Sequence, residues 1–473
     1  MGEISGHTSQ INCVSVRQQR PLRAATGSDD ASVVFYHGAP FKFNTSLREH
    51  KRYVYGVGFS PNGDHLVSVG ADRKIWLYDG KTGEVKMELP GEKEHTGSVF
   101  GVSWAGDSKR FATCSADQTV KVWDAEMGKC VHSWRLGEDG VVSVPDHQVG
   151  VVWPAARSDG LIISLNLAGD LNYLSEASPR PQRVVQGHQK NITTLTEDRS
   201  RGPEATFITG DAVGRVCAWD PAQGKGETVD GQGHTNYISA LSASASGRIY
   251  SVGWDDTLRS IDVSASTFTG TSTKTDGQPR GVATISKGTV VITHKGISLR
   301  SLKDNSIIKE IPTSWSPTVL ASSEDYIAVA GDDNTQHMYT SDLEPIKAFP
   351  QSSTISTFAF SPAAHRYLAV GFSNGKILVY EPNNPDPVIT RWSAHTGRVT
   401  SICWDDQGER AVTGGLDANI FVYSVPQPGQ RVSVGSAHKD GVNGVKWLGK
   451  DHVVSVGGDA AVKVWQVEGV GVV

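Results

Sequence analysis

The chain has 473 residues and a formal net charge of −5, with acidic and basic residues interspersed; it is too long for one ordinary core and suits two domains or an array of repeats. Gly (51 residues) and Trp (12) are abundant and hydrophobic residues make up 38%, a turn-rich β profile in which no apolar run approaches the roughly 20 residues of a membrane-spanning helix. The start, MGEISGHTSQ, has neither a basic region nor an apolar core, so it is no secretory signal. No basic stripe marks a nucleic-acid binder.

Histidines set a period along the chain. His7 and His50 lie 43 residues apart, His50 and His95 45, His188 and His234 46, and His395 and His438 43. A period of about 40–45 residues fits repeats of four short strands, and eleven units follow. The first runs from Gly6-His7 through TGSDD, ending at Asp30, to VVFY, ending at Tyr36; its outer strand is the unusual APFKFNTSLREH, 39–50. The second carries FSPNGD, 59–64, and ends in WLYD at Asp79.

The third unit, 93–124, is the cleanest. His95 precedes an apolar-alternating run, Val99 to Trp104; a second run, Arg110 to Cys114, leads to Ser115 and Asp117; a third ends in Trp123-Asp124. Period-two runs broken by Gly, Asp and Ser turns predict a small antiparallel sheet. Such a sheet cannot bury both faces alone, so sheets must stack as the blades of a propeller.

The fourth unit is degenerate, with VGVVW, LIISL and AGDLNYL but neither the histidine nor the Trp-Asp ending. After the connector SPRPQR, 178–183, the fifth begins at Gly187-His188 and ends at Asp220, with Val213 where a turn Asp is expected. The sixth holds VGWDDTLRSID, the seventh is weak, the eighth holds YIAVAGDDNTQHMY and the ninth GFSNGKILVY. The tenth and eleventh begin at His395 and His438. The unit at 93–124 has the form of a WD repeat, in which His, Ser, Asp and Trp make a buried hydrogen-bonded chain. Here that chain is expected from His95, Ser115, Asp117 and Trp123.

Eleven blades exceed the usual ring of about 4–8. The expected fold is therefore all-β, with an incomplete N-terminal propeller of four blades (1–185) followed by a seven-bladed C-terminal propeller (186–473). The count also predicts a fourteen-blade protein shortened at its N-terminus, with a last blade short of its outermost strand. The five cysteines (Cys13, Cys114, Cys130, Cys217 and Cys403) form no CxxC pair and fall in or near expected strands, which predicts buried free thiols.

Several stretches carry a family resemblance: QINCVSVRQQRPLRAATGSDDASVVFYHGAPFKF (10–43), WLYDGKTGE (76–84), LDANIFVYSV (416–425) and AHKDGVNGVKW (437–447). They resemble actin-interacting protein 1, the double-propeller WD-repeat cofactor of cofilin. The resemblance spans the whole chain, and RPLRAATGSDD followed by PFKF goes beyond generic repeat patterning. It implies a cytoplasmic, monomeric protein of the actin cytoskeleton. Such a protein binds cofilin-decorated actin filaments and promotes severing and disassembly without catalysis, cofactor, metal, nucleic acid or membrane. It also implies contacts from the N-terminal propeller, which map by motif to Asp29, Lys42, Phe43 and Tyr53; the family has Phe or a similar ring where Tyr53 stands.

The residues themselves support that stretch. In an outer strand, alternation puts Phe41 and Phe43 on one face and Lys42 on the other, and an exposed aromatic beside a charge suits a binding hot spot. The competing expectation is packing: Phe41 and Phe43 between blades, Tyr53 in the core, and Asp29 or Asp30 filling the turn network. A generic WD-repeat scaffold is the alternative function. GKTGE (80–84) lacks the glycine of a phosphate loop and lies between strands, so it reads as a turn. Asp255-Asp256 and Asp332-Asp333 fall on repeat turns, and His147, His294, His337 and His365 have no metal-ligand spacing and read as lone surface imidazoles.

Overall fold

Short β-branched and aromatic runs, each closed by a Gly, Asp or Ser turn, pair with their sequence neighbours throughout this chain. A computed structural model describes residues 6–89, 94–137, 140–198, 206–221, 223–362 and 366–468. The Met-Gly start, Lys93 and His365 lie outside the described residues. The strands form eleven antiparallel sheets, each a meander in which every strand pairs with the next. We number them as blades 1 to 11, with strands spanning 11–47, 54–88, 99–135, 148–185, 192–228, 238–274, 279–312, 317–350, 355–392, 399–434 and 442–466. Ten blades have four strands; among the described residues, blade 11 has three.

The chain divides into two compact units, Met1–Gln186 and Gly187–Val473. In the first, the innermost strands of blades 1 to 4 pack side by side in order. Cores form between blades. Ala25, Phe35 and Val33 of blade 1 meet Val54, Phe59 and Tyr78 of blade 2. Val67, Ile75 and Leu77 of blade 2 meet Trp104, Phe111 and Trp123 of blade 3. Each sheet thus buries its second face only against a neighbour, as the sequence pattern requires.

The second unit closes on itself. Its innermost strands contact in order from blade 5 to blade 11, and blade 11 contacts blade 5. Ile192, Leu195 and Phe207 pack on Val454 and Val456 at that seam. There the Asn443 amide donates to Asn191 Oδ1 at 2.6 Å and to the Ile192 carbonyl at 2.8 Å.

Hydrogen bonds repeat between blades as well. The indoles of Trp104, Trp404 and Trp447 each donate to a carbonyl of the preceding blade: Gly58, Ala359 and Cys403. A buried indole N–H needs such an acceptor. All five thiols are free; Cys114, Cys217 and Cys403 are buried, but Cys13 and Cys130 only half so, because the latter two lie on strands at the margins of their inter-blade cores. No helix among the described residues is long and apolar enough to cross a membrane.

Candidate protein-binding surface

The local network is clearest in blade 3. His95 Nδ1 meets Asp117 Oδ2 at 2.9 Å and its Nε2 meets the Thr113 hydroxyl at 2.8 Å. The Trp123 indole donates to the same Thr113 oxygen at 2.8 Å. The hydroxyl joining His95 to Trp123 therefore belongs to Thr113, not to Ser115. Register decides this: Ser115 ends the second strand opposite Val99, and its Oγ accepts the Asp117 backbone N–H instead. Asp117 also accepts from Thr96 N, Thr119 N and the Thr119 hydroxyl. Burial pushes the Asp117 carboxyl up, but bonds from His95, Thr119 and Thr96 outweigh it and hold the group well below the usual carboxylate range.

The same pairing recurs as His50–Asp72, His188–Asp211, His234–Asp255, His395–Asp417 and His438–Asp459. In blade 5 the turn carboxylate is thus Asp211, which ends the second strand two residues before Val213 and accepts from Val213 N and Arg215 N. An imidazole between a carboxylate and a hydroxyl has the connectivity of a hydrolase triad. Here each hydroxyl sits on a buried second-strand residue such as Thr113, Thr209 or Ser251, where no substrate reaches it. The network ties the incoming loop to the turn and has no access for chemistry.

His337 is not a lone surface imidazole: it stacks on Trp315 at 4.0 Å and meets Asp333 at 2.8 Å. Blade 8 lacks the loop histidine, and this pair fills the vacant turn. Among the described residues no cluster of His, Cys, Asp or Glu has the makings of a metal site. A funnel of about 770 Å³ in the second unit is lined by hydroxyl and apolar groups, among them Ser242, Thr284, Ser322, Phe358 and Ile402. The charged side chains Glu197, Glu324 and Lys446 line it as well.

Blade 1 separates its two adjacent carboxylates. Asp30 meets His7 Nδ1 at 3.0 Å and accepts from Thr8 N and from the Ser32 amide and hydroxyl. Burial opposes its charge, but these bonds win and hold it far below the ordinary range. Asp29 is left outside the network, where the Asn12 amide donates to its Oδ1 at 2.7 Å and to the Val54 carbonyl at 3.1 Å. That bridge ties Asp29 to the backbone of Val54, the residue after Tyr53.

Tyr53 is 51% exposed and Phe43 is 49% exposed. Lys42 and Phe43 begin the outermost strand of blade 1, Lys42–Leu47, paired with His37 and Tyr36. Phe41 lies in the turn before that strand and packs on Ala24, Val34 and Tyr36. The expected alternation of Phe41 with Phe43 fails because Phe41 is not in the sheet. Phe43 borders Gly6, next to His7.

Two further groups were not read from the sequence. Asn12 is a polar residue in a strand, with no pattern to single it out. Tyr55 and Phe100 extend Tyr53 into a run of rings, with centroids 6.3 Å apart for Tyr53–Tyr55 and 5.2 Å for Tyr55–Phe100. Their residues lie on first strands of adjacent blades, and only stacking of the blades joins them.

Eleven four-stranded or three-stranded meanders stacked into blades, seven of them tied by a loop His–Asp pair among the described residues, define a WD-repeat β-propeller protein. The WD domain, G-beta repeat model matches residues 1–37, 41–79, 87–124, 386–424 and 429–466. The chain is 39% identical to an uncharacterized WD repeat-containing protein of Schizosaccharomyces pombe, over 99% of this chain and 76% of that protein. It is 34% identical to WD repeat-containing protein 1-B of Xenopus laevis (99% and 77%) and 32% identical to actin-interacting protein 1 of Drosophila melanogaster (99% and 76%). The chain belongs to the family of WD repeat-containing protein 1 and actin-interacting protein 1.

Proposed function

We propose that this protein binds actin filaments decorated with cofilin and promotes their severing and disassembly, as a cytoplasmic, monomeric binding protein with no catalytic step. The observation that carries the reading is similarity along 98–99% of the chain to proteins named for an interaction with actin. The surface of blades 1 and 2 supports it. Phe43 and Tyr53 hold about half their surface in solvent, and large exposed aromatics are the residues that dominate interface energetics. Asp29 and Lys42 supply polar contacts nearby: Asp29 stands outside the His7–Asp30 network and accepts from Asn12, and Lys42 has no salt-bridge partner among the described residues.

Cosedimentation with actin filaments, with and without cofilin, tests this. Binding that rises with cofilin supports the reading; binding indifferent to cofilin overturns it. Phe43→Ala and Tyr53→Ala are each expected to weaken cofilin-dependent binding by about tenfold, as loss of a hot-spot ring does. Pull-downs that recover neither actin nor cofilin would favour a generic WD-repeat scaffold.

A further inference from the structure

The rim of blade 2 around Tyr53 carries a cluster of exposed cations. Lys51 and Arg52 precede Tyr53 in the loop that enters the blade, and all three are exposed. This loop is fastened to the turn between the second and third strands: Lys51 N donates to Asp72 at 2.9 Å, and Ala71 N donates to the Tyr53 carbonyl at 2.8 Å. That turn presents Arg73, exposed and in the left-handed region at φ +69°. Arg48, also exposed, stands at the start of the same loop.

Among the described residues none of Arg48, Lys51, Arg52 and Arg73 has a carboxylate within salt-bridge distance, although Lys74 beside them pairs with Glu88 and Glu94. The nearby acids are engaged: Asp72 by His50, Asp30 by His7, Asp29 by Asn12, and Glu49 by the Tyr78 hydroxyl. Four cations without carboxylate partners thus gather on one rim of a chain whose net charge is −5. They flank the ladder Tyr53–Tyr55–Phe100, which runs from solvent at Tyr53 to Phe100 on the first strand of blade 3, against the core between blades 3 and 4.

We infer that this rim of blade 2 docks an acidic segment of a protein partner, with Arg48, Lys51, Arg52 and Arg73 meeting its carboxylates and the Tyr53–Tyr55–Phe100 ladder taking an apolar side chain beside them. The charge complementarity selects an acidic ligand, and the aromatic ladder selects one with an apolar residue among its acids. Nucleic acid fits less well. The cations form a cluster on one blade rather than a track along which a phosphate backbone could run. The inference deepens the filament reading and rests on it only for the identity of the partner.

The experiment uses the full chain and its triple variant Lys51→Glu, Arg52→Glu, Arg73→Glu. All three side chains are exposed, so the fold is expected to hold; circular dichroism and thermal unfolding check it. The first probe is a short fluorescein-labelled peptide of Asp and Glu with one central Phe, compared with a Ser-for-acid peptide. The native chain should bind the acidic peptide, more weakly as salt rises, and the triple variant should bind it about tenfold less tightly. Lys51→Arg should leave binding intact.

Equal binding by native and triple-variant chains overturns the inference, as does equal binding of the two peptides. Tighter binding to a single-stranded oligonucleotide or to phosphatidylserine vesicles than to the acidic peptide also overturns it. Cofilin-decorated filaments are the second probe. If the native chain ignores filaments yet discriminates the acidic peptide, the filament reading fails and the rim assignment stands. If filaments bind native and triple-variant chains alike, the rim assignment fails and the filament reading stands.

Discussion

Blades 3 and 4 are neighbours in one unit, have the same four-stranded meander and share a core of Ala112, Cys114, Val122, Trp134, Trp153 and Ile162. They fasten their loops differently. Blade 3 uses an imidazole between Asp117 and Thr113. Blade 4 uses Gln148, fully buried, whose Oε1 accepts from the Ser164 hydroxyl at 2.8 Å and whose Nε2 donates to the Asp146 carbonyl at 2.8 Å. A second pair, Asn166 and Asp170, closes the following turn. The constant feature is a second-strand hydroxyl satisfied from the incoming strand or loop, and the chemical group that satisfies it varies. A repeat that has lost its histidine has therefore not lost its fold, because burial of the two faces stabilises the blade more than the polar network does, and that network only has to be complete.

The sharpest break in this comparison is Asp117→Ala. It strips the acceptor from His95, Thr96 and Thr119 at once, and is expected to destabilise blade 3 by about 3 kcal/mol, read by hydrogen exchange of its amides. Gln148→Ala is expected to cost blade 4 about 1.5 kcal/mol in the same measurement, since it leaves the Ser164 hydroxyl unpaired without stranding a charge. If the second loss equals the first, the charged network has no special weight.

His95→Gln gives blade 3 the joining group of blade 4 and is expected to cost roughly 1 kcal/mol, less than His95→Ala. It should also flatten the acid response of that blade. Burial holds the folded His95, His234, His395 and His438 below the ordinary imidazole value, against the pull of their aspartates. In the unfolded chain these rings take protons at about pH 6.5. Their contribution is then complete above that pH and declines as pH falls from about 6.5 toward the folded values.

A second decline lies lower. Burial pushes Asp459 up, but bonds from His438, Lys439 N and Lys463 bring it down to about 2 from 3.8. Its stabilisation is present above 3.8 and is lost as pH falls toward 2. Thermal unfolding across this range checks both signs. A native chain with no loss between neutrality and about pH 5 would show that the buried imidazoles do not titrate on unfolding. The smallest stability effect belongs to Tyr53→Ala, expected within about 0.5 kcal/mol because the ring is half in solvent. The same change weakens binding if the rim of blade 2 is the contact surface.

The period of the histidines, the two-residue alternation and the turn residues made eleven sheets legible without coordinates, including the weak seventh and degenerate fourth. Local propensity suffices there because each blade is a meander of sequence neighbours, so strand order carries no long-range information. The same reading could not tell Thr113 from Ser115, which lie two apart on one strand and differ only in register. Nor could it separate Asp29 from Asp30, or Phe41 from Phe43.

By itself, then, the sequence determined the number of sheets, their strands and the residues able to tie each turn, because those follow from contacts within about 45 residues. Tertiary structure alone decided which carboxylate joins the His7 network and which accepts from Asn12, which phenylalanine packs and which faces solvent, and that Ile192 meets Val454 across the seam of the second unit. It alone gathered Tyr53, Tyr55 and Phe100 into one ladder beside four cations that lack carboxylate partners. Those outcomes depend on register within a sheet and on how the blades stack, and neither leaves a periodic trace in the chain.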